Sequence, residues 1–262
     1  ITCRDWSSDV CSSDLSKPHG GHNNSRSSKA SEQWYAKWVP LLVIIPLVFL
    51  TYSPILDNEL TNWDDPDLII DNPLIRELSI DNLKTIFTEF YFGNYQPLHL
   101  VSYSVEYHFW QLNPAGYHAV SLLLFLCITA LVYYFVFLIS KRNVTVAVIA
   151  TLLFALNGMR VESVAWASER KDMLYAMFYM AALVMYVKFI TYSGMSKPGR
   201  IKYFTLTFFF YVLSVFSKVM AVSLVGALVF HDYLYHRTLT LWLLVDKIPV
   251  VDSSIVVALV QL

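Results

Sequence analysis

Two aspartates stand side by side in the polar stretch that follows the first long apolar run of the chain. Asp64 and Asp65 come directly after Trp63. Adjacent carboxylates beside an aromatic ring can form a site in which one of them takes a proton from a substrate, as a general base does. The alternative is structural, because aspartates next to a proline also cap helices and form turns. The stretch lacks the central glycine and distant glutamate of an EF-hand calcium loop, and we assign no metal ligands.

A second group of charges lies between two later apolar runs, in residues 159–172. Its six charged side chains are Arg160, Glu162, Glu169, Arg170, Lys171 and Asp172. If the segment is one helix, Glu162 and Trp166 share a face with Arg170. Cations there could stabilise the growing charge of a phosphate leaving group. The alternative is that these charges only mark a membrane boundary.

Lys218 interrupts the apolar run 203–235 near its middle. A charge at the centre of a bilayer costs about 2.5–3.5 kcal/mol on insertion scales, so such residues tend to serve a purpose. The alternative is a lysine that extends to the membrane surface from a helix end. We group Lys218 with Arg160, Arg170 and Lys171 as a candidate phosphate-binding set, and we assign supporting roles to Gln96, His99 and Glu162.

The elements that position these residues are predicted to be membrane helices. Hydrophobic residues make up 56% of the chain and charged residues 15%, against about 25% charged in soluble domains. The run 203–235 has 33 residues, which is roughly 50 Å as one helix and too long for a hydrocarbon core of about 30 Å. We therefore predict two helices that meet at Ser217-Lys218. The sequence predicts an all-α, polytopic membrane protein with spans near 38–56, 119–140, 144–158, 173–192, 203–216, 219–235 and 248–262.

The distribution of charge predicts the topology. Basic residues such as Lys141 and Arg142 fall on one side of the alternating spans, which the positive-inside rule makes cytoplasmic. The N-terminus is then cytoplasmic and the loop 57–116, with ten acidic and two basic residues, lies outside. The chain has no basic patch of the kind that nucleic-acid binding needs.

Short amphipathic helices are expected in this outer loop, lying along the membrane surface. Pro73 and Pro97 are placed where helices can begin. Asp81 is predicted to cap a helix that runs to Phe90. A second helix would present one apolar face at helical spacing, formed by Leu98, Val101, Val105 and Phe109.

The remaining parts of the chain differ from this membrane domain. Residues 1–15 contain DWSSDVCSSDL, which matches a translated sequencing adaptor, and we exclude them from fold reasoning. Residues 16–36 are polar and are expected to form a disordered cytoplasmic tail. Residues 37–262 are interpreted as a truncated transmembrane domain.

Four motifs occur in order along the membrane domain. They are WDDPDLIIDNPLI, NYQPLHLVSYSVEYHFWQLNPAGYH, RVESVAWASERKD and SKVMAVSL. Over roughly residues 37–240 the chain resembles the membrane half of the transmembrane and tetratricopeptide-repeat proteins, including bacterial relatives. That family is similar to the protein O-mannosyltransferases, which have the multi-span GT-C glycosyltransferase fold.

This resemblance implies a transferase that moves a sugar, mannose by analogy, from a polyprenyl-phosphate donor to a Ser or Thr hydroxyl of a protein. It places the acidic pair Asp64 and Asp65 at the catalytic centre, outside the inner membrane of a bacterium. It also implies tetratricopeptide repeats that bind protein partners, although no such repeats occur in this sequence. The relatives usually have His-Pro where this chain has Asn157-Gly158. As a fragment, the chain is expected to be inactive alone.

Two functions of other classes remain open from the residues. One is a non-catalytic membrane anchor for a repeat domain that assembles partners. The other is a transporter, which predicts polar residues inside several spans and an internal repeat, and the sequence shows neither feature.

Overall fold

The computed structural model describes residues 37–191 and 197–235, nearly all of them in the unit Pro40–Leu262. Every regular element in these ranges is a helix, which confirms the all-α prediction. The predicted tail 16–36 and the predicted span 248–262 lie outside the described residues. The α-helices are α1 (Val39–Tyr52), α2 (Ile80–Thr88), α3 (Pro97–Trp110), α4 (Pro114–Ile139), α5 (Val144–Ala155), α6 (Arg160–Ala165), α7 (Arg170–Thr191), α8 (Lys197–Ser217) and α9 (Leu224–Leu234). Short 3-10 segments cover Ser53–Asp57, Pro73–Ile75, Ala167–Glu169 and Val219–Ser223, and a π-helical turn covers Pro66–Ile70.

Three helical stretches are long and apolar enough to cross a membrane: Val39–Asp57, Pro114–Ile139 and Ala167–Thr191. Two shorter apolar stretches, Val144–Ala155 and Val219–Leu234, accompany them. Large apolar side chains such as Leu42 and Leu50 are 76% and 68% exposed on α1, as expected where lipid rather than protein covers a helix. The protein is therefore a membrane protein.

Aromatic side chains join the membrane helices. The Tyr52 ring lies 4.8 Å from the Phe125 ring, between centroids, and its hydroxyl donates to the carbonyl of Ala155 at 2.9 Å. These contacts tie α1 to α4 and α5. A second cluster, which includes Tyr186, Tyr211 and Leu224, packs α7 against α8 and α9. The helix α7 is central, because it packs against both α4 and α8.

The polar break predicted in the run 203–235 is present. The helix α8 ends at Ser217, Lys218 adopts an extended backbone with φ −159°, and a 3-10 turn leads into α9. Lys218 thus stands at a helix junction rather than inside a continuous helix, and its ammonium group pairs with the carboxylate of Asp172 on α7.

The outer loop is a packed structure with its own small core. Leu68, Ile69 and Ile75 of the loop pack with Tyr103 of α3 and Tyr117 of α4. The helix α3 begins at Pro97 as predicted. The prediction that Asp81 caps α2 is wrong, because the Ser79 hydroxyl accepts from the N–H of Asn82 at 3.1 Å. The helix ends at Thr88 rather than at Phe90. Ser79 has the extended backbone that a cap needs, whereas Asp81 already lies in the first turn.

The helix α3 turns its polar aromatic side inward. His99, Tyr103 and Glu106 are buried, whereas Val105 and Phe109 of the predicted apolar face are 40% and 68% exposed. A helix that lies on a membrane surface is expected to show this arrangement, because lipid covers its apolar side and protein covers its polar side.

The segment 159–172 is not one helix, and the helical face predicted for Glu162, Trp166 and Arg170 is wrong. The helix α6 ends at Ala165, and Trp166 adopts an extended backbone with ψ 120°. The 3-10 turn Ala167–Glu169 follows before α7 begins. Because the helix is broken at Trp166, the N–H of Ser168 can donate to a side chain of the loop 57–116.

Candidate active site between residues 57–116 and 159–172

Asp65 is fully buried, and both of its carboxylate oxygens accept hydrogen bonds. Its Oδ2 accepts from the N–H of Thr61 at 2.7 Å and from the Thr61 hydroxyl at 2.9 Å. Its Oδ1 accepts from the N–H of Ser168 at 3.0 Å. Asp65 therefore connects the first outer loop to the turn before α7, and its side chain faces the protein rather than solvent.

Asp64, its neighbour, is half-buried and lines a pocket between the two loops. The enclosed part of the pocket has a volume of about 60 Å³, well below the range for ligand sites, and the opening measures about 380 Å³ when the solvent at its mouth is included. Its polar lining comprises Asp64, Tyr91, Asn94, Gln96, His99 and Lys171. The structure thus brings four predicted site residues together: Asp64, Gln96, His99 and Lys171.

Lys171 supplies the positive charge of the pocket from the first turn of α7. Its ammonium group lies 3.1 Å from the carboxylate of Glu169, and both side chains are partly exposed. A single ion pair that solvent still reaches is weak and can rearrange. Lys171 can therefore turn to an anionic ligand without loss of a strong contact.

His99 forms part of the buried wall of the same pocket. Its ring lies 4.5 Å from that of Tyr103, between centroids, and it is 2% exposed. Burial, together with the charges of Lys171 and Arg170, lowers the pKa of His99 to about 3. The imidazole is therefore neutral at physiological pH. Its Nε2 is buried and makes no hydrogen bond within the described residues.

Arg170, adjacent to Lys171, faces away from the pocket. The side chain is wholly buried, and its guanidinium pairs with the carboxylate of Glu106 on α3. It also donates to the hydroxyls of Ser102 and Ser121 at 3.2 Å each, and to the carbonyl of Tyr117 at 2.6 Å. This geometry does not support a direct contact with a donor phosphate. Burial raises the pKa of Glu106, and the guanidinium of Arg170 opposes that rise.

We refer to Asp65, Tyr103, Glu106, Ser168 and Arg170 as the buried network. Tyr103 completes it, since its hydroxyl donates to the carbonyl of Ala167 at 2.7 Å. Burial raises the pKa of this phenol well above its usual value, so the group remains a donor. The network joins α3, α4 and the turn before α7 directly behind the pocket.

Comparisons with known proteins agree with the motifs. The chain is 25% identical over 213 residues to Protein O-mannosyl-transferase F38B6.6 of Caenorhabditis elegans, which covers 76% of this chain and 28% of the relative. It is 25% identical over 195 residues to human Protein O-mannosyl-transferase TMTC3, and the match covers 70% of this chain and 20% of the relative. It is 27% identical over 195 residues to human Protein O-mannosyl-transferase TMTC1, and the match covers 69% of this chain and 21% of the relative. The chain is thus similar to proteins named as protein O-mannosyl-transferases. The resemblance inferred from the motifs is confirmed.

The chain spans less than a third of the length of these O-mannosyl-transferases. No family model and no solved structure matches it.

Besides Asp65 and Arg170, three further residues predicted for the site do not line the pocket. Arg160 is exposed, and its guanidinium lies 4.9 Å from the centre of the Phe154 ring. Glu162 is exposed on α6. Lys218 is engaged with Asp172. Within residues 37–191 and 197–235, no group of three His, Cys, Asp or Glu side chains could hold a metal ion.

The residues that sequence reasoning missed belong mainly to the buried network. Glu106 was detectable, since it is an acid within an otherwise apolar and aromatic stretch, where charges are usually paired. Thr61 and the N–H of Ser168 gave no signal. The role of Ser168 depends on a backbone group that meets Asp65 across 103 positions of the chain.

Proposed function

We propose that this chain belongs to a membrane glycosyltransferase that uses a polyprenyl-phosphate sugar and glycosylates Ser or Thr hydroxyls of proteins outside the cytoplasm. The observation that carries the proposal is the pocket, which Asp64 and Lys171 both line at one end of a candidate membrane span. The names of the relatives favour mannose as the sugar and a protein as the acceptor. The fold proposed is of the GT-C type.

The proposed reaction is a single displacement with inversion at the anomeric carbon. Asp64 accepts the proton of the acceptor hydroxyl while that oxygen forms a bond to the anomeric carbon. The bond from this carbon to the phosphate oxygen breaks, and the lipid phosphate leaves with both bonding electrons. Lys171 stabilises the charge that grows on this phosphate.

The position of Lys171 suits a lipid donor. It lies in the first turn of α7, and the stretch Ala167–Thr191 is one of the candidate spans. A phosphate at Lys171 would therefore be at the boundary between the outer loops and the membrane, and the polyprenyl tail would lie along the apolar helices.

The proposal is tested with Asp64→Asn in a full-length protein, with a lipid-phosphate sugar and a Ser/Thr-rich acceptor peptide. The amide keeps the size of the side chain but accepts no proton, so transfer should fall by about 10²–10⁴ while donor binding is retained. Asp67→Asn is the matched control, because Asp67 is close in sequence, exposed, and absent from the pocket lining. If both variants transfer sugar at the same rate, Asp64 is not the base, and a non-catalytic assembly role becomes the better explanation.

A further inference from the structure

One side of the pocket has polar groups that the proposed transfer step does not use. Asp64 and Lys171 account for the proton and the phosphate. His99 and Gln96 remain, the first buried and the second half-buried, and both line the pocket. A buried polar atom without a partner is uncommon in folded proteins and is expensive. The unpartnered Nε2 of His99 therefore indicates a ligand that hydrogen-bonds there.

We propose that His99 and Gln96 form a sugar subsite, in which the Nε2 of His99 and the side-chain amide of Gln96 hydrogen-bond the hydroxyls of the hexosyl group of the donor. This inference rests on the proposed function, because it assigns the sugar of the same lipid donor to the buried wall of the same pocket.

The chemistry of the wall favours a neutral, hydroxyl-rich ligand over an anion. The imidazole is neutral at physiological pH, and its unpartnered Nε2 can donate to or accept from a hydroxyl, depending on the tautomer. The Gln96 amide likewise offers a carbonyl and an NH₂ group. Leu68 and Leu100 complete the buried wall and can cover the C–H faces of a sugar ring. The ring of His99 is held against Tyr103, whose own hydroxyl is fixed on Ala167, so the subsite is preorganised.

The size of the pocket limits the ligand. Its enclosed part, about 60 Å³, is too small for an oligosaccharide, and a single sugar ring would lie partly in the open mouth. The subsite should therefore distinguish the lipid phosphate with one sugar from the same lipid phosphate without it.

The test measures equilibrium binding of two probes, polyprenyl-phosphate mannose and polyprenyl phosphate, to a full-length protein in phosphatidylcholine nanodiscs. His99→Phe keeps an aromatic ring against Tyr103 and removes both ring nitrogens. It should weaken binding of the mannosyl lipid about tenfold, the effect of one buried group left without its partner. Binding of the phosphate lipid should change less than about twofold, because the contact with Lys171 is retained. His108→Phe is the matched control, since His108 is on the same helix and exposed.

A second variant keeps the inference testable if His99→Phe unfolds the protein. Gln96→Met preserves the length of the side chain and should weaken binding of the mannosyl lipid alone. Equal weakening of both probes by the folded variants, or no weakening, would overturn the sugar subsite and leave the proposed function in place. A wild-type protein that binds neither probe would overturn the proposed function and this inference with it. If the wild type binds the mannosyl lipid selectively through His99 but transfers no sugar, the subsite stands and the proposed transfer fails.

Discussion

The molecule contains two adjoining regions in which the charged groups have opposite surroundings. In the buried network, Asp65 and Arg170 are fully enclosed and hydrogen-bonded from several directions. In the pocket, Asp64 and Lys171 are half-buried and face an open space. Of the two adjacent acids, Asp65 belongs to the buried network and Asp64 to the pocket. Of the two adjacent bases, Arg170 belongs to the buried network and Lys171 to the pocket.

This difference indicates how the site is built. The enclosed acid and base hold the two outer loops together, and their neighbours in sequence are thereby held at a fixed place on the pocket wall. Sites in which supporting residues lock the reacting groups lose less free energy to ordering when a substrate binds. The comparison can be challenged by substitutions that should affect one region and spare the other.

The largest effect is expected from Arg170→Ala. Removal of one partner from a buried ion pair leaves Glu106 uncompensated, which typically costs about 3–5 kcal/mol. We expect a large fall in thermal stability in detergent micelles, with loss of folded protein on size-exclusion chromatography. Lys171→Ala, the adjacent control, should change stability by less than about 1 kcal/mol, because its pair is partly exposed.

A double variant sharpens this prediction. Combining Arg170→Met with Glu106→Gln removes both charges and should recover much of the lost stability, since paired apolar or neutral replacements are often tolerated. Equal stability of the Arg170→Ala and Lys171→Ala proteins would show that the two neighbours do not differ as described.

A smaller effect is expected from Asp65→Asn. The amide NH₂ would face either the N–H of Ser168 or the two Thr61 donors, so at least one buried donor loses its acceptor, at about 1–3 kcal/mol. The melting temperature and the transfer rate should fall together. In Asp64→Asn, by contrast, transfer should fall at unchanged melting temperature. If Asp65→Asn lowers the rate alone, Asp65 acts on the substrate rather than on the fold.

The smallest effect concerns pH and His99. The pKa of His99 is lowered in the folded state to about 3 from 6.5, so the unfolded chain binds more protons between these values. Its contribution to stability is then fully present above pH 6.5 and is lost as the pH falls below it. Between pH 7.5 and 5.5 this loss is about 1.4 kcal/mol, and His99→Phe should remove it. The check is the difference in pH dependence of melting between wild type and variant. His108→Phe should leave the wild-type slope intact, and an unchanged slope in His99→Phe would show that the imidazole is accessible to protons.

The sequence carried much of the information on the fold, because membrane helices depend on local composition. The apolar runs, the junction at Ser217-Lys218 and the start of α3 at Pro97 follow from residues that are close together in the chain. The pocket was partly visible as well, since Asp64, Gln96, His99 and Lys171 had all been singled out.

The sequence could not show which member of each adjacent pair belongs to the buried network and which one lines the pocket. Asp64 and Asp65 are chemically identical, and they are distinguished by the hydrogen bonds that Asp65 accepts from Thr61 and from the N–H of Ser168, which is 103 positions away. The assignment of Arg170 depended on a helical face that the break at Trp166 removes. Whether a charge lies in the buried network or in the pocket is decided by these long-range contacts, which have no local pattern.

The buried network also implies an order of events during synthesis and membrane insertion of the protein. A chain that emerges from the ribosome delivers Asp65 and Glu106 to the membrane well before Ser168 and Arg170 are synthesised. Until the later helix has entered the bilayer, both carboxylates lack the partners that the finished molecule gives them. The first outer loop can therefore reach its final form only after insertion of α7. A nascent chain stalled before that helix should remain an open, protease-sensitive intermediate at the membrane surface.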